Sequence, residues 1–392
     1  GLVLLSGVIC QWSSVFANEG SIAFIGARII DGTDAAPLED GVIVITDGRI
    51  RTVGPRSAVT LPSGTQRIDV SGKTIIPGLI NAHGHVGDVM GLEAGHYNTE
   101  NLERQLSLYA RYGITTVNSL GGDLEQGFQL RDSQYSAGLD RARILVSGSV
   151  VVGDSEAAIR NEVNNNADMG ANFIKVRVDD NLGSTPKLPQ NLLEALVDQA
   201  HIRRLPVAVH LFYQDDAKFV LNAGADLIAH SVRDEAVDQQ LIDLINDKDV
   251  CYIPTLTREV STYVYESEPF FFDDPYFLKE VDPSILATLR EPERQTRMRN
   301  SSSAQQYKAA LQVAMANVGT LSNNGVKIAM GTDTGPAARF QGYFEHMELQ
   351  MMVESGMSPL DAIRSATGVA ADCINAGDIG LGNLIQNRGN LR

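Results

Sequence analysis

The sequence is poor in cysteine, tryptophan and positive charge. It contains 3 Cys and 1 Trp in 392 residues, which excludes a framework of several disulfide bonds. Its 32 Lys and Arg stand against 48 Asp and Glu, a formal charge of −16 that disfavours binding to nucleic acid or to anionic lipid. Internal repeats and low-complexity tracts are also missing. Nucleic acid is therefore not an expected partner, and stability must come from packing.

The overall composition is that of a large globular protein. Hydrophobic residues make up 43% of the chain and charged residues 20%, which are ordinary values for a protein with a sizeable core. At 392 residues the chain is longer than a single ordinary core supports. We therefore expect one large barrel or two domains.

Residues 1–19, GLVLLSGVICQWSSVFANE, have the pattern of a partial secretory signal peptide. The apolar stretch is shorter than the roughly 20 residues that a spanning helix needs, and small residues stand at the peptidase positions of Val15-Phe16-Ala17. The pattern predicts a periplasmic or secreted protein without membrane insertion. A buried N-terminal strand is the alternative. After signal removal Cys251 and Cys373 would remain, and they allow at most one bridge.

Two regions of different pattern follow. Residues 20–73 contain short alternating runs broken by Asp31-Gly32 and Asp47-Gly48, which are typical of strands and hairpins. From Thr74 onward eight apolar, β-rich runs alternate with helix-periodic segments. This alternation favours an α/β protein with a (β/α)8 TIM barrel. A doubly wound open sheet is the alternative, but no GxGxxG motif follows the first strand.

One connection, residues 259–300, is much longer than the others and is rich in aromatic, acidic and proline residues. In a barrel it would lie at the C-terminal ends of the strands, where insertions form lids or pocket walls. A simple surface excursion is the alternative.

The first barrel strand carries two histidines. Successive strand residues alternate between faces, so His83 and His85 are expected to share one face with Asn81. Such a pair can bind a metal ion, although an isolated HxH also occurs by chance or as a pair of core histidines.

The fourth strand, FIKVRVD, is predicted to turn Lys175 inward together with Phe173 and Arg177, because the apolar residues between them suit the helix layer. An inward lysine requires a carboxylate partner, a covalent modification or a catalytic role.

Three further strands add to this set. The expected inward residues are His210 with Ala208 in the fifth strand, His230 with Ile228 in the sixth, and Asp333 with Gly331 and Ala329 in the eighth. All of these strand ends meet at the face where barrel enzymes build their active sites. Imidazole and carboxylate ligands favour zinc, with iron, cobalt or manganese as alternatives.

The motifs IPGLINAHGH, FIKV, VHLF, IAHS and GTDT resemble those of the metal-dependent amidohydrolase superfamily, in its imidazolonepropionase-like and prolidase-like (Xaa-Pro dipeptidase-like) branch. The resemblance covers residues 20–392. It implies a metal-dependent hydrolase barrel over residues 74–376 and a small β-sandwich of which residues 20–73 form the N-terminal portion. Residues 377–392 would begin the return to this sandwich, whose C-terminal strands are truncated in the sequence.

The resemblance also implies a binuclear centre with two divalent metal ions, most simply Zn²⁺, bridged by a carboxylated Lys175. The other ligands would be His83, His85 and Asp333 for one ion and His210 and His230 for the second. Water bound to such an ion has a pKa near about 7 and supplies hydroxide. Asp333 is the expected catalytic base and then the acid for the leaving amine. An unmodified Lys175 paired with Asp333 in a one-metal site is the alternative.

Substrate recognition is assigned to residues at or just beyond the strand ends, because an arginine there can clamp a substrate carboxylate. The candidate substrate-binding residues are Arg177, Tyr213, Arg233, Arg258 and Arg339. In imidazolonepropionases an acidic residue closely follows the fifth-strand histidine and the bridging lysine is missing. This chain has Leu211-Phe212-Tyr213-Gln214 and does have Lys175, which favours the prolidase-like interpretation.

The expected function is hydrolysis of a C–N bond in a dipeptide or N-acyl amino acid, so the expected partner is a small amide or peptide. A hydrolase of carbamates or phenylureas, or of a cyclic amide, is an alternative within the same class. The alternative from another class is an inactive barrel that serves as a binding module. A homo-oligomer is left open.

Overall fold

The computed structural model describes residues 20–136 and 138–375. The expected signal at 1–19 and the expected return to a sandwich at 377–392 lie outside the described residues. Within them the chain falls into two units, one of residues 20–30 and 36–75 and the other of residues 31–35 and 76–375.

The first unit is a five-stranded sheet. Its strands are β1 (Ser21–Ile29), β2 (Leu38–Thr46), β3 (Arg49–Pro55), β4 (Gln66–Asp69) and β5 (Thr74–Ile75). β2 pairs antiparallel with β1 and β3, while β4 and β5 pair with β1 in parallel. Asp47 and Gly48 join β2 to β3 with φ values of 53° and 69°, as a tight hairpin turn requires. The larger β-sandwich stays a prediction.

The second unit is a ring of parallel strands that alternate with helices. The strands are β6 (Leu79–Gly84), β7 (Ile114–Ser119), β8 (Arg143–Val146), β9 (Ile174–Arg177), β10 (Val207–His210), β11 (Leu227–Ile228) and β12 (Cys251–Tyr252). Parallel bridges join the sheets β6-β7-β8 and β9-β10-β11-β12, and residues 327–334 occupy the eighth position between β12 and β6. This is a TIM-barrel-like α/β fold, and we call these eight segments the strand ring.

The helices follow the strands as the sequence periodicity predicts. They are α1 (Thr99–Arg111), α2 (Glu125–Ser133), α3 (Glu156–Asp168), α4 (Gln190–Ile202), α5 (Gln214–Ala223), α6 (Gln239–Asp247), α7 (Leu256–Tyr263), α8 (Pro275–Leu278), α9 (Pro283–Leu289), α10 (Pro292–Arg299), α11 (Ser302–Asn323), α12 (Tyr343–Glu354), α13 (Pro359–Ser365) and α14 (Gly368–Cys373). The side chains of Asn98, Ser155 and Asp238 each accept a hydrogen bond from a first-turn backbone N–H, which fixes where α1, α3 and α6 begin. No helix in the described part of the chain combines the length and apolar character needed to cross a membrane.

Alternation within the strands separates the interior of the strand ring from the layer that faces the helices. Ile174 and Val176 are buried in the cluster that contains the helix residues, whereas Phe173 and Ala208 are buried in the interior cluster. The predicted facing of β9 and β10 is therefore confirmed for these apolar residues.

The prediction that Asn81 shares the face of the two histidines is wrong. Its Nδ2 donates to Glu345 Oε1 on α12 at 2.7 Å, outside the strand ring, and its Oδ1 accepts from the backbone N–H of His83 at 3.0 Å. The pairing of β6 with β7 shifts register between Asn81 and Gly84, so simple alternation does not hold across this stretch.

The prediction that Ile228 faces the interior with His230 is also wrong. Ile228 is buried in the cluster that contains the helix residues, whereas Leu227 and Ala229 lie in the interior cluster. β11 has only two paired residues, so the alternation of this strand does not extend to His230.

The N-terminal end of the strand ring is closed by α14. Ala370 and Ala371 are buried in the same interior cluster as Ile80 and Leu227, which stand at the starts of β6 and β11. Cys373 at the end of α14 forms a disulfide with Cys251 in β12, with a Cα–Cα distance of 5.8 Å. This is the single bridge that the two cysteines permit.

The long connection 259–300 is folded rather than irregular. It completes α7 and contains α8 to α10 together with two 3₁₀ turns, Val264–Glu266 and Phe270–Asp273. The buried Phe271 and Phe277 pack against Phe340, beyond the eighth position of the strand ring. Glu280 and Ile285 line a small cavity of about 130 Å³ together with Arg339. The connection therefore forms a wall beside the mouth of the strand ring.

Candidate active site

The residues predicted to bind metal lie at one mouth of the strand ring, because parallel strands present their C-terminal ends on the same side. They come from β6 and its end, β9, the end of β10, the segment after β11 and the eighth position, and they are His83, His85, Lys175, His210, His230 and Asp333. Contacts between neighbouring members link all six into one constellation.

The first part of this constellation consists of His83, His85 and Asp333. Asp333 Oδ1 lies 2.9 Å from His85 Nε2 and 3.5 Å from His83 Nε2. One ligand atom from each residue falls within 4.8 Å of the others, close enough for all three to contact one cation. Asp333 has a φ of 56° and its backbone N–H donates to His83 O at 2.7 Å. The strained backbone conformation of Asp333 is thus stabilised by the strand beside it.

Asp333 is an ionised carboxylate in a cationic environment. Burial by itself would raise the pKa of Asp333, but the Arg339 guanidinium and the hydrogen bond with His85 hold this pKa well below its usual range. Arg339 donates to Asp333 Oδ2, and Arg258 Nε lies 4.0 Å from the same oxygen. The carboxylate therefore has one oxygen toward the histidines and the other toward the arginines.

The second part of the constellation consists of His210, His230 and Lys175. The imidazole centroids of His210 and His230 are 4.2 Å apart, and those of His230 and His83 are 4.7 Å apart. Lys175 Nζ lies 3.2 Å from His83 Nε2. His83 therefore joins the two parts.

The environment of Lys175 favours a reactive amine. The residue is 4% exposed, and burial lowers the pKa of its ammonium to about 7, so much of it is neutral near pH 7. A neutral amine is the form that reacts with carbon dioxide to give a carbamate. The alternative ion pair of Lys175 with Asp333 is not found among the described residues, where Nζ contacts His83 instead.

Hydrogen bonds fix which nitrogen each histidine can offer to a metal. His85 Nδ1 lies 3.0 Å from the carbonyl oxygen of Gly121, and His210 Nε2 lies 3.1 Å from Asp179 Oδ2. A carbonyl and a carboxylate accept but do not donate, so these nitrogens carry the proton. The opposite nitrogen of His210, Nδ1, therefore carries a lone pair suited to a metal. Nε2 of His85 lies 2.9 Å from Asp333 Oδ1, so it can bind a cation beside this carboxylate once its own proton is released.

The other two histidines, His83 and His230, are buried and neutral. His230 Nδ1 lies 2.7 Å from Thr255 Oγ1, whereas the buried His83 Nδ1 has no hydrogen-bond partner among residues 20–136 and 138–375. Burial lowers the pKa of both well below the usual range, and it lowers the pKa of His210 to about 3. The neutral imidazoles of His83, His210 and His230 and the ionised carboxylate of Asp333 are in the state that divalent cations require, so this donor set fits a metal centre.

The predicted substrate-binding residues fall into two groups. Arg339 and Arg258 lie at the metal-competent residues, in contact with Asp333 or close to it. Arg258 Nη1 also lies 3.0 Å from Glu259 Oε1, and its guanidinium carbon lies 4.3 Å from the centroid of the Tyr307 ring.

The other candidates are engaged elsewhere. Arg233 is 1% exposed, and its Nε lies 3.0 Å from Glu259 Oε1. Its Nη1 donates to two backbone carbonyls, so the side chain holds neighbouring segments together and is not available to a ligand in this conformation. Tyr213 donates its hydroxyl to Asp180 Oδ1 at 2.8 Å. Arg177 lies at the rim with its side chain 40% exposed and bonded to Asp179 at 2.6 Å. Their binding roles stay predictions.

Two buried aspartates at the strand ends were missed by the sequence analysis. Asp179 follows β9 and contacts both His210 and Arg177, and although burial would raise its pKa, these two residues hold it well below its usual range. Asp123 follows β7, accepts from Ser119 Oγ at 2.5 Å and from Ser147 N–H at 2.8 Å, and has its pKa raised to about 6 by burial. The signal available in the sequence was an acid within four residues of the end of an apolar strand.

A cavity of about 540 Å³ opens beside His85. It lies between the ends of β6 and β7 and the segment after the eighth position of the strand ring. Its lining includes Val86, Asp88, Val89, Leu92, Tyr97, Gly121, Leu124, Gly335 and Pro336. A volume of this size suits a small organic molecule.

A match to a family model agrees with this geometry. The model for the Amidohydrolase family matches residues 74–383. The chain belongs to this family. The group formed by His83, His85 and Asp333, which could hold a metal ion, is consistent with this membership.

Individual relatives are distant. An uncharacterized protein of Mycobacterium tuberculosis is 25% identical over 222 residues, which are 54% of this chain and 56% of that protein. The chain thus spans a little over half the length of this curated relative. A crystal structure of a Xaa-Pro dipeptidase with methionine bound in its active site has a TM-score of 0.73 at 21% identity, covering 93% of this chain and 91% of the other. Phenylurea hydrolase B has a TM-score of 0.69 at 21% identity, covering 93% and 89%. At these identities the likeness concerns the fold.

Proposed function

We propose that this amidohydrolase cleaves the C–N bond of a small amide or peptide, such as a dipeptide or an N-acyl amino acid. The observation that carries the proposal is the single constellation formed by four histidines, Lys175 and Asp333 at one mouth of the strand ring. Neutral imidazoles, a reactive buried amine and an ionised carboxylate have no comparable use in an apolar core, where each is costly to bury.

The proposed cofactor is a pair of divalent ions, with zinc as the best match for these ligands. His83, His85 and Asp333 would hold one ion, His210 and His230 the other, and the carbamate of Lys175 would bridge them. When bound, such ions lower the pKa of water to about 7 and polarise a substrate carbonyl.

Asp333 is the residue assigned to proton transfer. Its low pKa keeps it ionised before reaction, so it can accept a proton from the attacking water and then donate it to the leaving amine. Arg339 holds the second carboxylate oxygen, and the backbone N–H of Asp333 is bonded to His83 O. These two contacts keep the carboxylate aimed at the reaction site while the proton moves.

The arginines near Asp333 favour a substrate that has an anionic end. Arg339 and Arg258 meet near Asp333 Oδ2. Glu259 also contacts Arg258, but it is shared with the buried Arg233, so three arginines face two carboxylates and one positive charge is in excess. A substrate carboxylate placed there would bind by charge-assisted hydrogen bonds. This arrangement favours a leaving group that is an amino acid.

A carbamate or phenylurea hydrolase is the second candidate, supported by the similarity in fold to phenylurea hydrolase B. It would use the same Asp333 chemistry on a neutral substrate, without a carboxylate for the arginines. Substrates with and without a carboxylate therefore separate the two candidates.

Export from the cytoplasm and the domain organisation belong to the same proposal. The disulfide between Cys251 and Cys373 supports an oxidising compartment, where such bonds persist, and the pattern of residues 1–19 suits a signal. Residues 20–73 would form part of a sandwich completed by later strands.

The test is metal analysis and a substrate panel on the full-length protein. We expect close to two equivalents of transition metal per chain and hydrolysis of Xaa-Pro dipeptides or N-acyl amino acids in preference to aryl ureas. Preference for aryl ureas would favour the second candidate. Less than one equivalent of metal with no hydrolysis of any amide, urea or carbamate would contradict both.

A further inference from the structure

The cavity beside His85 differs in character from the rest of the mouth. Most of its lining residues contribute apolar or aromatic surface, and the larger of these are Val86, Val89, Leu92, Tyr97, Leu124 and Pro336. Asp88 is the only carboxylate in the described lining, and no lysine or arginine belongs to that lining. The cavity therefore suits an uncharged, apolar group.

The position of the cavity relative to Asp333 indicates which end of a substrate the cavity would bind. Oδ1 of Asp333 contacts His85, which lines the cavity, whereas Oδ2 contacts Arg339 and faces Arg258. An amide spanning Asp333 would thus have one end among cations and the other end in apolar surroundings. The carboxylate of a leaving amino acid belongs with the arginines, which leaves the acyl side of the scissile bond for the cavity.

Two glycines form the cavity wall next to His85. Gly121 has a φ of 117°, accepts from His85 Nδ1 and lines the cavity. Gly335, also in the lining, has a φ of 117°, and a Cβ there would meet His85 O at 2.0 Å. A side chain at either position would be strained or would clash, so the cavity wall beside His85 consists of backbone without side chains.

We propose that the cavity binds a large apolar group on the acyl side of the substrate, such as an arylacetyl or long-chain acyl group or an aromatic first residue. This inference rests on the proposed amide hydrolysis and names its substrate class. A volume of about 540 Å³ accommodates an arylalkyl group, and an acetyl group would leave most of the apolar surface in contact with water. An anionic acyl group would be disfavoured by Asp88.

The experiment compares three substrates with one leaving amino acid, acylated with acetyl, phenylacetyl or succinyl. We expect kcat/KM for the phenylacetyl substrate to exceed that for the acetyl substrate by at least about tenfold, with the succinyl substrate slowest. In Leu124→Asp this ratio should fall toward one, because a charge at the cavity wall opposes burial of an apolar group.

Leu124 suits this test because it is 53% exposed, so its replacement leaves the core intact. The matched control is Leu278→Asp, since Leu278 is another partly exposed leucine, at 42%, outside the lining of this cavity, and it should keep the wild-type ratio. Leu124→Met, which retains apolar surface, should keep most of the preference.

A binding measurement provides a readout that does not depend on turnover. Calorimetry on the metal-loaded protein should give tighter binding for phenylacetate than for acetate, with the difference lost in Leu124→Asp and kept in Leu278→Asp. Equal rates for the acetyl and phenylacetyl substrates and no effect of Leu124→Asp would overturn the cavity assignment while leaving amide hydrolysis standing. Absence of hydrolysis for all amides would overturn both.

Discussion

The two ends of the strand ring receive different side chains from the same strands. At the N-terminal end Phe173 and Ala208 join the interior cluster that α14 closes, whereas two residues further along their strands stand Lys175 and His210. One end contains apolar packing and a disulfide, and the other contains titratable groups that are costly to bury. In these two strands the residue that packs in the core and the residue that takes part in the site are thus only two positions apart, on the same face of the strand.

The difference indicates that changes at the mouth should alter chemistry more than folding, and that changes at the closed end should do the reverse. The contrast has a physical basis, because buried like charges such as Arg258 and Arg339 oppose folding unless they are paired. The apolar end must offset this cost. Three variants test the contrast, and the largest effect is expected at the mouth.

Asp333→Asn should remove most turnover, by about 10²–10⁴-fold, because an amide cannot accept and return the proton. Much of the metal content should remain. The thermal midpoint should fall only modestly, because the amide oxygen of the new asparagine can still accept a hydrogen bond from Arg339. The measurement pairs kcat with metal analysis, and Asp198→Asn, at an exposed ion pair on α4, serves as the control. Full activity in Asp333→Asn would rule out its assigned role.

Removal of the disulfide should act on stability. Cys251→Ala with Cys373→Ala opens a link across 122 residues of sequence, and loops of this length are associated with a loss of about 3–5 kcal/mol in unfolding free energy. Urea unfolding measures this loss, and amide hydrolysis at low temperature should remain near the wild-type rate. A loss of activity without a loss of stability would break the proposed separation of the two ends.

Asp179→Asn should give the smallest effect, a decrease in zinc affinity of about 10–100-fold. Asp179 accepts from His210 Nε2, so it keeps the proton on that nitrogen and leaves Nδ1 for the metal. Competition with a chelator measures the affinity. The neighbouring Asp180→Asn, which loses a contact to Tyr213 instead, should retain wild-type affinity, and equal affinities in both variants would show that Asp179 does not position His210.

Strand periodicity was sufficient to place Lys175 and His210 at the mouth. His210 and Lys175 stand at interior positions of ordinary paired strands, so counting by two locates them. The same counting failed for Asn81, where the β6–β7 register shifts, and for Ile228, whose strand is only two residues long. Local pairing defects of this kind depend on neighbouring strands that one sequence pattern does not specify.

Tertiary contacts account for what the sequence left undetermined. In the sequence Asp179 cannot be distinguished from any other acid after a strand. Its role becomes visible only in the fold, where its Oδ2 lies 3.1 Å from His210 Nε2. The burial of Arg233 against Glu259 and the apolar wall at Leu124 likewise depend on elements far apart in the chain. The long connection could be predicted to lie near the mouth, but its aromatic packing against Phe340 could not.

The most direct test is a crystal structure of the metal-loaded, full-length protein with anomalous scattering data collected at the metal edge. The proposal predicts two metal peaks among the four histidines, with Asp333 coordinating one ion and extra density for a carbamate on Lys175 between them. Metal peaks located elsewhere, or an unmodified Lys175 and Asp333 both remote from the metal, would contradict it.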